Sequence, residues 1–164
     1  MLRINALPLF GLLFSVIASA STQVNDSAIF DQKNLYGRWN CKYAMEDANT
    51  RMKVDYDISY FADGRASGSG TLLLRMQNFP QMEYSLSNRS TWVVKAGSLI
   101  LSSAEFKLVN RSHPELDQIL NLESLFPQNV RESSTILELT QSTLVARSDS
   151  YGGVYSCSKR APKI

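Results

Sequence analysis

From residue 36 onward, apolar and polar side chains alternate with a period of two in one segment after another. In Tyr36-Gly37-Arg38-Trp39-Asn40-Cys41 and just beyond, the odd positions Trp39, Cys41, Tyr43 and Met45 are apolar, while Arg38, Asn40 and Lys42 are polar. That alternation describes a half-buried antiparallel strand. Gly37 lets the backbone turn sharply into it, and Trp39 supplies a plug for whatever the strand closes. The cleanest run follows: Val54, Tyr56, Ile58 and Tyr60 share one face, and Asp55, Asp57 and Ser59 share the other. Ala62-Asp63-Gly64-Arg65 predicts a hairpin of type I′, because Asp-Gly tolerates positive φ. The return strand places Leu72, Leu74 and Met76 on one face, and its start, Gly68-Ser69-Gly70, suggests a bulge or sharp bend.

Asn78-Phe79-Pro80-Gln81 is the next turn. Met82, Tyr84 and Leu86 then alternate, with parity carried to Trp92 and Val94 through a polar middle that itself suggests a bend. Lys95-Ala96-Gly97-Ser98 turns the chain into Leu99-Ile100-Leu101 and a strand ending near Phe106. One helix interrupts the meander. Ser112-His113-Pro114-Glu115 has the form of a capping box, with Pro tolerated in the first turn. Leu116, Ile119 and Leu120 make an apolar stripe extended by Leu122 and Phe126, and Pro127 stops it. Residues 135–140, 143–147 and 154–158 read as three more strands. The fold class is therefore mainly β: a single antiparallel barrel of about eight strands with one helix. Closure is the economical arrangement, since an open sheet of this size leaves two unpaired edges.

The chain has 164 residues, 44% of them hydrophobic, enough for one domain with a real core. Its formal net charge of +2 comes from interspersed charges, which excludes the basic stripe of a nucleic-acid binder. Residues 1–20 read as a secretion signal. Arg3 gives a positive start, residues 7–17 an apolar core, and Ala18-Ser19-Ala20 a cleavage site, with the cut after Ala20. A membrane anchor is the competing reading, but residues 7–20 fall short of the ~17–25 needed to span a bilayer and contain Pro8 and Gly11. The mature chain is then periplasmic or secreted, without a stable membrane anchor. Residues 21–34 form a flexible lead-in, and 35–164 the barrel domain. Export makes the two cysteines, Cys41 and Cys157, a disulfide that ties the first strand to the last. Opposed antiparallel residues suit that geometry.

Catalytic chemistry is sparse. The single histidine, His113, has no motif-spaced nucleophile or acid beside it and reads as an exposed cap-region residue. One histidine and two paired cysteines leave no zinc spacing, so no metal and no cofactor is expected. Asn88-Arg89-Ser90 and Asn110-Arg111-Ser112 fit a glycosylation acceptor pattern, relevant only in a eukaryotic secretory route. A non-enzymatic protein is expected. The inward-facing set Trp39, Tyr43, Tyr56, Tyr60, Met76, Tyr84 and Trp92 either packs a solid core or walls a cavity. In the second case tyrosine hydroxyls are polar handles, and the ligand is small, mostly apolar and anionic if Arg38 and Arg75 lie near the mouth.

Gly37-x-Trp39 near the start of an exported barrel resembles the signature of the lipocalin-like (calycin) superfamily. The order Tyr60-Phe61-Ala62-Asp63-Gly64, Trp92, Leu99-Ile100-Leu101-Ser102-Ser103-Ala104-Glu105-Phe106-Lys107, then Pro114-Glu115-Leu116-Asp117-Gln118-Ile119-Leu120 and Leu125-Phe126, resembles the ToxS family over roughly residues 35–150. These are periplasmic partners of ToxR-type membrane-bound regulators. The resemblance implies a protein that pairs with the regulator's periplasmic domain, protects it from proteolysis and helps sense bile-like amphipaths. Family members keep an N-terminal anchor and are not associated with a disulfide such as Cys41–Cys157. The expected role is therefore that of a sensor partner, with two alternatives left open: a free carrier of a small hydrophobic ligand, and an inhibitor or immunity-type protein acting through an exposed loop at 148–153.

Overall fold

The computed structural model describes residues 30–120 and 129–161. The expected signal segment, most of the lead-in, and Leu122 and Phe126 of the expected helix lie outside the described residues. Eight strands form a closed antiparallel barrel in sequence order. They are β1 (Gly37–Glu46), β2 (Thr50–Tyr60), β3 (Arg65–Met76), β4 (Met82–Lys95), β5 (Ser98–Asn110), β6 (Arg131–Leu139), β7 (Thr143–Ser148) and β8 (Val154–Lys159). The architecture is consistent with a lipocalin-like fold. β8 returns to β1 with Cys41 directly opposite Cys157, and the two form a disulfide. Among the described residues no helix is long and apolar enough to cross a membrane.

One end of the barrel is plugged. A 3₁₀ turn, Gln32–Leu35, is capped by the Asp31 side chain and inserts Leu35, which is fully buried. Trp39 Nε1 donates to Leu35 O at 2.7 Å, and Lys159 Nζ donates to Asn34 O at 2.9 Å while lying 5.1 Å from the Trp39 ring centre. The last part of the expected lead-in is thus integral to the barrel, because it satisfies the indole and covers its ring. Trp92 packs edge-to-face on Tyr60, with ring centres 5.6 Å apart, and donates from Nε1 to Phe61 O.

The barrel is lopsided. β6 pairs with β5 only over residues 98–102 of the latter, and β8 pairs with β1 only over residues 39–42. β1 to β5 run on past this collar and carry a second apolar cluster of Leu72, Leu74, Met82, Tyr84 and Leu108. Leu116 and Leu120, from a 3₁₀ turn (Pro114–Leu116) and the short helix α1 (Asp117–Leu120), pack against that cluster.

Several local expectations are corrected. Gly64 has φ +81° but Asp63 keeps a negative φ. The hairpin is therefore a tight turn closed by Gly64 N donating to Phe61 O, not type I′. Type I′ geometry occurs instead at Ala96-Gly97, where both φ values are positive between the paired Lys95 and Ser98. Gly68 and Gly70 sit in unbroken register with β2, so they make no bulge; they are there for space. The register shifts lie elsewhere. Arg89 pairs with Glu105 and Ser90 with Ser103, leaving Ala104 extra, and Leu137 is extra in β6. The polar middle of β4 carries no extra residue; the irregularity falls in its neighbour β5. The capping box does not form, as Ser112 Oγ accepts from Glu83 N across the sheet. Asn110 substitutes: its Oδ1 accepts from His113 N, and its Nδ2 donates to His113 O and Asp117 Oδ1. Ile119 is exposed, so the helical stripe narrows to Leu116 and Leu120.

Candidate functional site

Between the plugged end and the second cluster lies a cavity of about 490 Å³. Tyr43, Met52, Val54, Tyr56 and Tyr60 reach it from β1 and β2, and Leu72, Leu86, Leu101 and Phe106 from β3 to β5. Glu132, Tyr151 and Tyr155 complete the wall from the collar side. Most of this surface is hydrocarbon or aromatic, with hydroxyls set into it.

Of the seven inward positions expected from alternation, Tyr43, Tyr56 and Tyr60 line the cavity. The other four do not. Trp39 and Trp92 belong to the plugged end, and Met76 and Tyr84 to the second cluster. Period-two parity reports which face a side chain takes, not its height along the barrel axis. Leu101 and Phe106 sit in a strand expected from the sequence but were not singled out. Glu132 shares the parity of the buried Ser134 and Ile136, yet it precedes the expected strand start at residue 135. Tyr155 shares the parity of Cys157, and Tyr151 comes from a loop that periodicity does not reach.

Tyr56 is the best-specified of these side chains. A Cβ built on Gly68 would stand 2.3 Å from Tyr56 Oη, and one on Gly70 would stand 2.2 Å from Asp55 O. The two glycines therefore clear a trough on β3 into which β2 and the Tyr56 ring settle. Across it the Tyr56 hydroxyl donates to Asn88 Oδ1 at 2.5 Å. Burial holds the Tyr56 and Tyr60 hydroxyls well above the usual phenol range, so both are neutral donors. Tyr155 is pushed up to about 12, chiefly by burial, with Ser134 as a hydrogen-bond partner that opposes the shift.

The mouth is also defined. Ser148 N donates to Gly153 O and Gly152 N donates to Ser148 O, which folds residues 148–153 into a tight loop. Tyr151 from this loop meets Tyr43 edge-to-face, with ring centres 5.8 Å apart. Gly153 permits the approach, since a Cβ there would fall 2.6 Å from the Tyr43 ring. Glu132 is exposed as a residue at this rim, while surrounding protein partly withdraws its carboxyl from water and raises its pKa.

The expected arginines are not at the mouth. Neither borders the cavity: Arg38 pairs outside with Asp57 at 2.6 Å, and Arg75 lines a surface hollow at the distal hairpins. Both are in strands at positions of outward parity. A second concavity of about 580 Å³ lies on the outer sheet face, bordered by Ser59, Ser67 and Ser87 and by charges already paired as Arg38–Asp57 and Lys107–Glu105. It is larger but polar and shallowly charged, so the inner cavity is the better site for an apolar molecule. Neither glycosylation pattern is on an exposed loop. Asn110 is buried in its hydrogen-bond set, and Asn88 holds Tyr56. His113 stands at the start of its turn without a side-chain capping bond, and its Nδ1 lies 3.1 Å from Glu115 Oε1. No cluster of three potential metal ligands occurs among the described residues.

No protein-family model and no curated protein matches the chain.

Proposed function

We propose that this protein is an exported, non-enzymatic, lipocalin-like binding protein that holds one small, mostly apolar molecule inside its barrel. The observation that carries the reading is the 490 Å³ cavity walled by Val54, Leu72, Leu86, Leu101 and Phe106, with neutral tyrosine hydroxyls as orienting groups. The disulfide across the barrel seam supports an oxidising compartment. Titration with N-phenyl-1-naphthylamine, an uncharged apolar fluorophore, tests it. Saturable, blue-shifted emission at one probe per chain is expected, with loss of the signal in Leu101→Trp, which fills the cavity. Absence of saturable binding to a folded, oxidised sample overturns it.

A second reading follows from the ToxS-like order of motifs: the barrel sits beside the periplasmic domain of a membrane-bound regulator. Co-expression with a ToxR-type regulator from the same genome tests it. Slower proteolysis of the regulator's periplasmic domain supports the pairing, and an unchanged rate removes it. The inhibitor reading has less support, because the loop it needs, 148–153, is folded onto the cavity mouth through Tyr151.

A further inference from the structure

Among the described residues, the cavity lining holds one charged group without an ion-pair partner. Glu132 forms neither a hydrogen bond nor an ion pair with any described residue. Lys42 also borders the cavity, but its ammonium is turned to Asp55, 3.5 Å away on the outer side of the sheet. Among the described lining residues, the charge that faces the cavity is therefore a carboxylate. Around that carboxylate stand aromatic rings. Tyr151 and Tyr155 line the same cavity as Glu132, and Tyr43 meets Tyr151 edge-to-face. A partly desolvated carboxylate costs free energy unless an opposite charge joins it, and tyrosine faces attract cations. Below this group the wall is apolar, through Leu72, Leu86 and Phe106.

Resting on the binding reading above, we infer that the ligand is a cationic amphipath, its amine or quaternary ammonium head held by Glu132 among Tyr43, Tyr151 and Tyr155 and its hydrocarbon part in the cavity. This reverses the anionic preference that arginines at the mouth would have given. The head enters last and stays nearest solvent, which keeps its desolvation small while its chain takes the apolar depth.

The test compares dodecyltrimethylammonium, laurate and the net-neutral dodecyldimethylamine oxide, each below its micelle concentration, by isothermal titration of the oxidised full chain at low salt and neutral pH. The cation is expected to bind roughly tenfold tighter than the amine oxide, and laurate weaker still. Glu132→Gln is expected to abolish the cation's preference over the amine oxide. If Glu132→Gln does not fold, Tyr151→Leu in the exposed loop carries the same test, with a several-fold loss for the cation alone. Equal affinity for cation and anion, or a preference that survives Glu132→Gln, overturns the inference while amine-oxide binding leaves the cavity reading intact. Failure of all three probes removes both.

Discussion

Replacing Gly68 by alanine places a methyl carbon 2.3 Å from Tyr56 Oη, 2.5 Å from Cζ and 2.6 Å from Cε1. None of these separations is tolerable, and the ring is pinned on its far side by the 2.5 Å bond to Asn88. The ring must leave the trough and surrender that bond. Overpacking of this kind costs about 1–3 kcal/mol, and an orphaned part-buried hydroxyl about 1–3 kcal/mol more. Alanine recovers about 0.5–1 kcal/mol, because glycine is the poorer residue in a strand interior. The net expectation is a loss of about 2–4 kcal/mol, read from urea unfolding followed by tryptophan fluorescence. The double-mutant cycle is the sharper assay. With Tyr56→Ala already in place nothing occupies the trough, so adding Gly68→Ala should be neutral or stabilising. The coupling energy between the two sites is then about 3 kcal/mol. A coupling below about 0.5 kcal/mol would show that Gly68 is not there to seat the ring, and the account of the site's best-specified side chain would fail.

The Cys41–Cys157 bond spans a sequence separation of 116, for which chain entropy gives about 5 kcal/mol; the Cys41→Ala/Cys157→Ala pair should lose most of this in urea unfolding. A loss under about 1 kcal/mol would mean that the unfolded chain is already so compact that the cross-link removes little of its entropy. Trp39→Phe keeps most of the packing but leaves Leu35 O without its indole donor, costing about 1–2 kcal/mol and speeding proteolysis near residues 30–35. Unchanged proteolysis would detach the plug from Trp39. Asp57 supplies a pH test. Burial pushes its carboxyl up, but the Arg38 and Asn40 hydrogen bonds and the nearby Arg38 and Arg160 charges outweigh that and hold its pKa below the usual value. A depressed carboxyl stabilises the fold above its unfolded pKa of about 3.9 and loses that contribution as pH falls through the folded value. Stability should therefore drop on acidification below about pH 4, and Asp57→Asn should flatten the drop; an identical slope in the variant refutes the assignment.

Strand faces were legible because a half-buried strand has to alternate, and the run Val54, Tyr56, Ile58, Tyr60 faces inward as read. Closure was legible too. Two cysteines in the first and last strands of a meander leave few other arrangements, and they meet across the seam. Backbone detail was not, since one residue type serves several ends. Gly64 turns the chain with positive φ, whereas Gly68 and Gly70 serve by having no side chain, and a sequence shows both only as glycine. The capping pattern at Ser112 failed for a similar reason. Its hydroxyl found a nonlocal partner, Glu83 N, while Asn110 took the local donor, His113 N.

The cavity escaped sequence reading for a more general reason, and the residues misplaced show what it is. Trp39 and Tyr43 share one face of β1 only four residues apart, yet Trp39 is sealed in the plug and Tyr43 stands at the mouth. Whether an inward side chain meets packing or space depends on what the other strands place at its height, which is a matter of register across the barrel. Here the decisive registers are the short ones. β6 and β8 stop after pairing with a few residues of β5 and β1, so the collar ends where β1 to β5 continue. That early stop opens the wall between Tyr43 and Phe106. It also leaves Glu132, at the start of β6, on the rim of an apolar hollow rather than in a charged surface row. A carboxylate in that position is what the proposed cationic head would meet, so the short registers that open the wall also set the charge at its rim.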